Sequence, residues 1–227
     1  MCFSATASFA AGATLTVVGV ASLASTRRRS ELPFAAIPLL FGAQQLVEGV
    51  IWLTFRHEAP LLRQVMTYVY SMFSHVLWPI YVPLALYFLE GVPWRRKVLL
   101  GFQVLGTAVG LYLLYFLIAR PIVAEVIGRH IVYVSPHFYI VPVTVAYVAA
   151  TCFSEFFSSH TFARLFGVLT LLSFIATYLF YTRALISVWC FFAALLSVLI
   201  FCHLRFRQLG GFPRAAATDA SQPLRAG

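Results

Sequence analysis

Long apolar stretches recur along the whole chain, separated by short polar or charged connections. A helix that crosses the hydrocarbon core of a bilayer needs about 20 mostly apolar residues. Because backbone N–H and C=O groups find no water there, such stretches are constrained to be helical. The sequence therefore predicts an all-α membrane protein, a bundle of about seven transmembrane helices, with six or eight as the alternatives. The predicted spans are Ala5–Ser25, Phe34–Phe55, Gln64–Leu89, Val98–Ile118, Tyr139–Phe156, Leu165–Tyr181 and Ala184–Leu204.

Composition supports this class and excludes others. Hydrophobic residues make up 61% of the chain and charged residues 10%, against about 25% charged residues in soluble domains. The net charge of +9 does not indicate nucleic-acid binding, because the basic residues form short clusters between apolar runs. We therefore expect the lipid bilayer, and no nucleic acid, as a partner.

The distribution of Lys and Arg predicts the orientation. Alternate connections carry 11 basic residues on one side and 5 on the other, and the richer side is expected in the cytoplasm. The prediction is an N-terminus outside, a cytoplasmic C-terminus, and a multi-pass location in a bacterial inner membrane. We predict a transmembrane domain over residues 1–207 and a disordered cytoplasmic tail over residues 208–227, because the tail has few large apolar residues.

Two titratable side chains, Glu48 and His75, fall inside the predicted spans, and the remaining charge is expected outside them. A charged group at bilayer depth is costly, so it indicates a functional site by default. Helical spacing gives each residue polar neighbours on its own face. The predicted ligand or proton site comprises Glu48, His75, Gln44, Gln45, Ser71 and Tyr68.

The same residues have a plainer interpretation. In it, Glu48 and His75 serve only as interhelical hydrogen-bonding groups, each contact contributing about 1 kcal/mol, or they have separate roles. Pro79 follows His75 by four residues, so its ring is expected to free the His75 carbonyl and bend the helix.

The amino terminus reads Met1-Cys2-Phe3-Ser4-Ala5-Thr6-Ala7-Ser8-Phe9, and Glu48-Gly49 is followed by Trp52. In these segments the chain resembles a family of small multi-pass bacterial membrane proteins that open with Met-Cys-Phe-Ser-Ala-x-Ala-Ser-Phe. The resemblance implies a polytopic membrane protein of unassigned function, and it carries over no catalytic residues.

Cys2 is a candidate metal ligand. Loss of Met1 would leave an amine and a thiol on one residue, and thiolate, imidazole and carboxylate ligands suit zinc or copper. We therefore predict a metal site at Cys2, Glu48 and His75, with a buried or lipid-facing thiol as the alternative. No ligand-spacing motif accompanies these residues.

Two further segments carry expectations. Gly106 and Gly110 form a Gly-x-x-x-Gly motif, which permits packing within the bundle or contact with a second copy or a membrane partner. The connection from Ala119 to His137 is predicted to form a short surface helix, with a disordered loop as the less favoured alternative, because Glu125 and Arg129 are spaced i,i+4. The run His130–Val134 alternates as a strand does.

Three functions remain open from the sequence. The first is a membrane protein with an outward-facing intramembrane pocket that binds a metal or small ligand. The second is a proton-coupled transporter of a small solute, which a shortage of polar groups in the inner half disfavours. The third is a sensory or accessory membrane subunit.

Overall fold

The computed structural model describes residues 4–208, with side chains as far as Phe206. Seven helices and one β-hairpin make up this part of the chain. The predictions for Cys2 and for most of the C-terminal tail lie outside it. The helices are α1 (Ala5–Ala24), α2 (Arg29–Arg56), α3 (Pro60–Leu89), α4 (Pro93–Ala119), α5 (Val141–Phe156), α6 (Thr161–Phe180) and α7 (Thr182–Phe206), and the strands are β1 (Val123–Ile127) and β2 (His130–Val134).

The seven helices confirm the predicted number and order of apolar segments. Six of them are long and apolar enough to cross a membrane, and α5 is the shorter one. Orientation relative to a membrane stays a prediction. We call the end of the bundle that holds β1 and β2 the hairpin end, and the end that holds Arg27–Arg29 and Arg95–Lys97 the basic end.

Small residues let α1 and α2 approach closely. A Cβ placed on Gly19 would lie 2.5 Å from backbone atoms of Leu39, and one on Gly42 would lie 2.9 Å from the backbone nitrogen of Thr16. Apolar side chains gain little by association inside lipid, so close backbone packing of this kind holds such helices together. This pair fixes α2, which carries Glu48, against the first helix.

Gly106 and Gly110 of α4 face α3 of the same chain. A Cβ on Gly106 would overlap the backbone carbonyl oxygen of Pro79, and one on Gly110 would lie 2.8 Å from the end of the Ile80 side chain. The close approach that this motif permits is therefore used inside the bundle.

The connection between α4 and α5 forms a β-hairpin, so the predicted surface helix is wrong. Val123–Ile127 pairs antiparallel with His130–Val134, and Gly128 begins the two-residue turn with φ 64°. Glycine adopts this left-handed conformation without a Cβ clash, as hairpin turns of this kind require. The segment follows the strand-like alternation, in which Ile131 and Tyr133 are buried and their neighbours are more exposed. It does not form the helix that the i,i+4 charge pair suggested.

Candidate functional site

Glu48 lies two helical turns from the hairpin end of α2, and its side chain is fully buried. Its Oε1 accepts a hydrogen bond of 2.5 Å from the Ser187 hydroxyl on α7. Its Oε2 has no hydrogen-bond partner among the described residues. The carboxyl group therefore joins two helices and keeps one oxygen available.

Gln44 and Gln45 share the buried face of α2 with Glu48, because residues three and four apart lie on one side of a helix. Both are fully buried. Gln44 Oε1 accepts a hydrogen bond of 2.7 Å from the indole N–H of Trp78. Within residues 4–208, Gln44 Nε2 and both amide atoms of Gln45 make no well-formed hydrogen bond, although Gln45 interacts with Glu48 and Gln44 with the Cys190 thiol. A group of unsatisfied donors and acceptors thus surrounds the free oxygen of Glu48.

His75 is also buried, but its partners are different. Its Nδ1 lies 2.8 Å from the Ser74 hydroxyl, and its Nε2 lies 3.0 Å from the Ser135 hydroxyl, just beyond β2. Phe138 packs edge-on to the ring, with centroids 5.4 Å apart. In the described part of the chain no hydrogen bond joins His75 to Glu48. His75 instead links α3 to the hairpin.

A π-helical turn over Met72–Leu77 carries His75. Such a turn pairs each carbonyl with the N–H five residues on, and for Ser74 that residue is Pro79, which has no N–H. The Tyr147 hydroxyl of α5 donates to the Ser74 carbonyl at 2.5 Å instead. The carbonyl left without a backbone partner is therefore that of Ser74. It lies one residue before the His75 carbonyl, which α-helical spacing predicted to be free.

The remaining predicted residues of α3 have different environments. Ser71 is fully buried and its hydroxyl has no partner in the described residues, whereas Tyr68 is only half-buried at the edge of the core. Tyr70, which the sequence did not single out, is fully buried and stacks on Tyr133 of β2 with centroids 4.3 Å apart. Cys190 of α7 lies beside Gln44, Glu48 and Tyr70. The hairpin therefore covers this group of side chains.

A surface cleft at the hairpin end lies close to this group. It has a volume of about 410 Å³ and is lined by Ser4, Trp52, Arg56 and Val126 among others. The indole N–H of Trp52 has no partner among residues 4–208, and Trp52 lies one turn beyond Glu48. Ser4 also caps α1 by accepting the N–H of Ala7.

The described residues contain no group of three or more His, Cys, Asp or Glu side chains placed to hold a metal ion. His57 is exposed, His130 packs on Tyr181, and His137 stacks on Phe116. The predicted metal site at Cys2, Glu48 and His75 stays a prediction, because Cys2 lies outside the described residues.

Glu155, near the basic end of α5, corrects the expectation that only Glu48 and His75 carry titratable charge inside the spans. Its side chain is 1% exposed, and its Oε2 has no partner among the described residues. The signal was present in the sequence, because Glu155 falls inside the predicted span Tyr139–Phe156.

Glu90 fixes the basic end. Its carboxyl lies between α3 and α4 and accepts hydrogen bonds from the N–H groups of Val92 and Ser159, at 2.9 and 2.6 Å, and from the Ser159 hydroxyl at 2.9 Å. Burial alone would raise the pKa of Glu90, but these hydrogen bonds and nearby His160 lower the pKa below its ordinary value of 4.5. The Glu90 carboxylate therefore ties the α3–α4 connection to the α5–α6 connection.

Comparison with known proteins gives one match. The sequence profile of a family of unknown function, DUF6629, matches residues 1–215. No curated protein and no solved structure matches the chain.

Proposed function

The chain belongs to DUF6629, a family of unknown function, and from its own side chains we propose that it binds a small polar ligand around Glu48. The protein is proposed to be a multi-pass protein of a bacterial inner membrane, since six helices are long and apolar enough to cross one. The charge bias favours an orientation with the hairpin end outside.

The unsatisfied polar atoms around Glu48 carry this proposal. Glu48 Oε2, Gln44 Nε2 and both amide atoms of Gln45 are buried and make no well-formed hydrogen bond in the described part of the chain. A buried polar group without a hydrogen bond costs about 1–3 kcal/mol. Bilayer lipid supplies no partners for these groups, whereas a bound polar molecule would supply them.

The same atoms define the class of ligand. The Gln44 and Gln45 amides offer N–H donors, whereas Glu48 Oε2 and Gln45 Oε1 offer acceptors. The best complement is a small molecule with a positively charged N–H group for Glu48 and an acceptor for the amides. We propose a ligand of this kind rather than zinc or copper, because the amide N–H groups of Gln44 and Gln45 donate hydrogen bonds and do not ligate a metal ion.

The proposed access route is the cleft lined by Ser4, Trp52 and Arg56. Trp52 lines this cleft one turn from Glu48, and its indole N–H is buried without a hydrogen-bond partner in the described residues. The stacked pair Tyr70 and Tyr133 covers the same region from the hairpin, so release of the ligand is expected to require hairpin movement.

A second candidate function is proton-coupled transport of a small solute. One observation favours it: Glu155 is a buried carboxyl in the half of the bundle opposite Glu48. This removes the objection that the half near the basic end lacks polar groups.

Ligand binding is tested by thermal unfolding of the purified protein in lipid nanodiscs with methylammonium, guanidinium, urea and glycerol as probes. A probe at 100 times its dissociation constant stabilises the folded protein by about 2.7 kcal/mol. We expect at least one cationic probe to stabilise the wild type and the control Glu125→Gln, whose side chain is exposed on β1, but not Glu48→Gln. Equal responses of all three proteins, or no response, would contradict the proposal.

A further inference from the structure

A surface cleft at the basic end lies where α3 passes into α4. It has a volume of about 260 Å³. Two basic side chains and one phenol line it, together with the connection between the helices and one apolar side chain of α4. No Asp or Glu of the described residues lines this cleft, so its charge is positive. The lining residues are Tyr87, Gly91, Pro93, Arg96, Lys97 and Leu100.

Glu90 belongs to the same connection, but its carboxylate is bonded elsewhere. It accepts hydrogen bonds from the N–H groups of Val92 and Ser159 and from the Ser159 hydroxyl, and it lines a different cleft. The Arg96 guanidinium instead lies over the Tyr87 ring, with Cζ 4.5 Å from the ring centroid. A cation–π contact of this kind holds the guanidinium at the cleft and does not neutralise its charge.

The start of α4 adds to the positive potential. The helix has 27 residues, its first turn contains no acidic residue, and no side chain caps its N-terminus. Because a helix N-terminus carries a partial positive charge, the helix dipole disfavours cations such as Arg95, Arg96 and Lys97 at this position. A bound anion would relieve this repulsion, so the local charge indicates an anionic ligand.

The surface beyond the cleft is apolar. Leu100, Val104 and Leu111 are exposed, and their spacing places them on one face of α4. Trp94, at the start of the same helix, is also exposed and lies under the Arg95 guanidinium; exposed tryptophan is typical of the depth of lipid headgroups. A cationic cleft that continues into an apolar helix face matches a phospholipid, whose phosphate and acyl chains are joined, better than a free phosphate ion.

We propose that this cleft binds the headgroup of an anionic phospholipid. Arg96 and Lys97 pair with the lipid phosphate, and an acyl chain lies along Leu100 and Val104. Basic pockets at the ends of membrane helices are known to hold such headgroups. The orientation rule accounts for basic residues at this end, but it does not require two of them to line one cleft. The site uses the membrane location proposed above and shares no residue with the ligand site around Glu48.

The first test is native mass spectrometry of the purified protein in neutral detergent, with equal amounts of phosphatidylglycerol and phosphatidylcholine of identical chains. We expect the wild type to retain phosphatidylglycerol preferentially, and Arg96→Gln and Lys97→Gln each to lower that preference roughly fivefold. Both side chains are exposed, so neither variant is expected to misfold. The control Arg29→Gln removes an exposed arginine of the same end that does not line the cleft, and it should match the wild type. No preference in the wild type, or an equal loss in Arg29→Gln, would overturn the proposal.

The second test locates the lipid and separates it from a free anion. The protein is placed in phosphatidylcholine vesicles that contain a small share of phosphatidylglycerol with a photoreactive headgroup, and the cross-linked peptides are identified after illumination. We expect cross-links within residues 87–100, which line the cleft, and no loss of them in a large excess of inorganic phosphate. Cross-links concentrated at Arg27–Arg29, or their removal by inorganic phosphate, would overturn the lipid site. Neither experiment depends on ligand binding at Glu48.

Discussion

Substitution of Gly106 by alanine tests the packing that positions α3. A methyl group there would overlap the carbonyl oxygen of Pro79, which is a backbone atom and cannot rotate away. A carbon and a carbonyl oxygen normally stay about 3.3 Å or more apart, so the two helices must separate locally. Overpacking of this kind costs about 1–3 kcal/mol. Pro79 lies just beyond the π-helical turn that carries His75. We therefore expect the displacement to reach His75 and its hydrogen bonds as well.

Two other glycines of α4 provide a graded comparison. Gly101 is in the same helix and a methyl group there would have no neighbouring atom within 4 Å, whereas at Gly110 the nearest atom is the flexible end of Ile80. Replacing glycine by alanine inside a helix stabilises it by about 0.5–1 kcal/mol, and this gain is common to all three variants. The difference between Gly106→Ala and Gly101→Ala therefore isolates the overpacking term, about 1–3 kcal/mol.

The assay is reversible unfolding in mixed micelles with increasing sodium dodecyl sulfate, followed by tryptophan fluorescence. We expect Gly101→Ala to be at least as stable as the wild type, Gly110→Ala to be intermediate, and Gly106→Ala to be the least stable. If Gly106→Ala is as stable as Gly101→Ala, the reasoning about α3–α4 packing is wrong.

Three further predictions use the same unfolding assay or hydrogen exchange. Tyr147→Phe leaves a buried carbonyl without its donor and should cost about 1–3 kcal/mol, whereas Tyr178→Phe, at a position that is 51% exposed, should change stability by less than about 0.5 kcal/mol. Because the pKa of Glu90 is lowered from 4.5, its contribution is complete above that pH and is lost as the pH falls through the lowered value. Glu90→Gln should therefore be less stable at neutral pH and decline less in acid, and identical acid profiles would refute this. Ser135→Ala removes a hydrogen bond to His75 and should accelerate amide exchange in β2; unchanged exchange would show that this bond does not hold the hairpin.

Hydropathy predicted the helices because lipid imposes one solution on an apolar segment, namely internal pairing of every backbone group. The hairpin was missed because its segment is short and carries two local patterns. The pair Glu125 and Arg129 suggested a helix, but contacts made far along the chain, such as Tyr133 with Tyr70 and Ser135 with His75, stabilise strands.

The sequence predicted which residues belong to the candidate site, but it did not predict which residues they form hydrogen bonds with. Glu48 and Gln44 could be singled out because polar groups are costly at bilayer depth. Their partners, Ser187 and Trp78, lie 139 and 34 residues away, and serine or tryptophan in an apolar segment gives no signal of its own.

The sequence alone determined that this chain forms seven apolar helices and that a few polar side chains are buried among them, because both follow from the energy of transferring local groups into lipid. The tertiary structure decided which polar groups meet. It separated Glu48 from direct contact with His75, gave each a serine partner, and brought Glu155 to the wall of a central cavity. These outcomes depend on helix rotation and crossing, which close contacts such as Gly106 on Pro79 set, and such contacts exist only once the whole bundle is assembled.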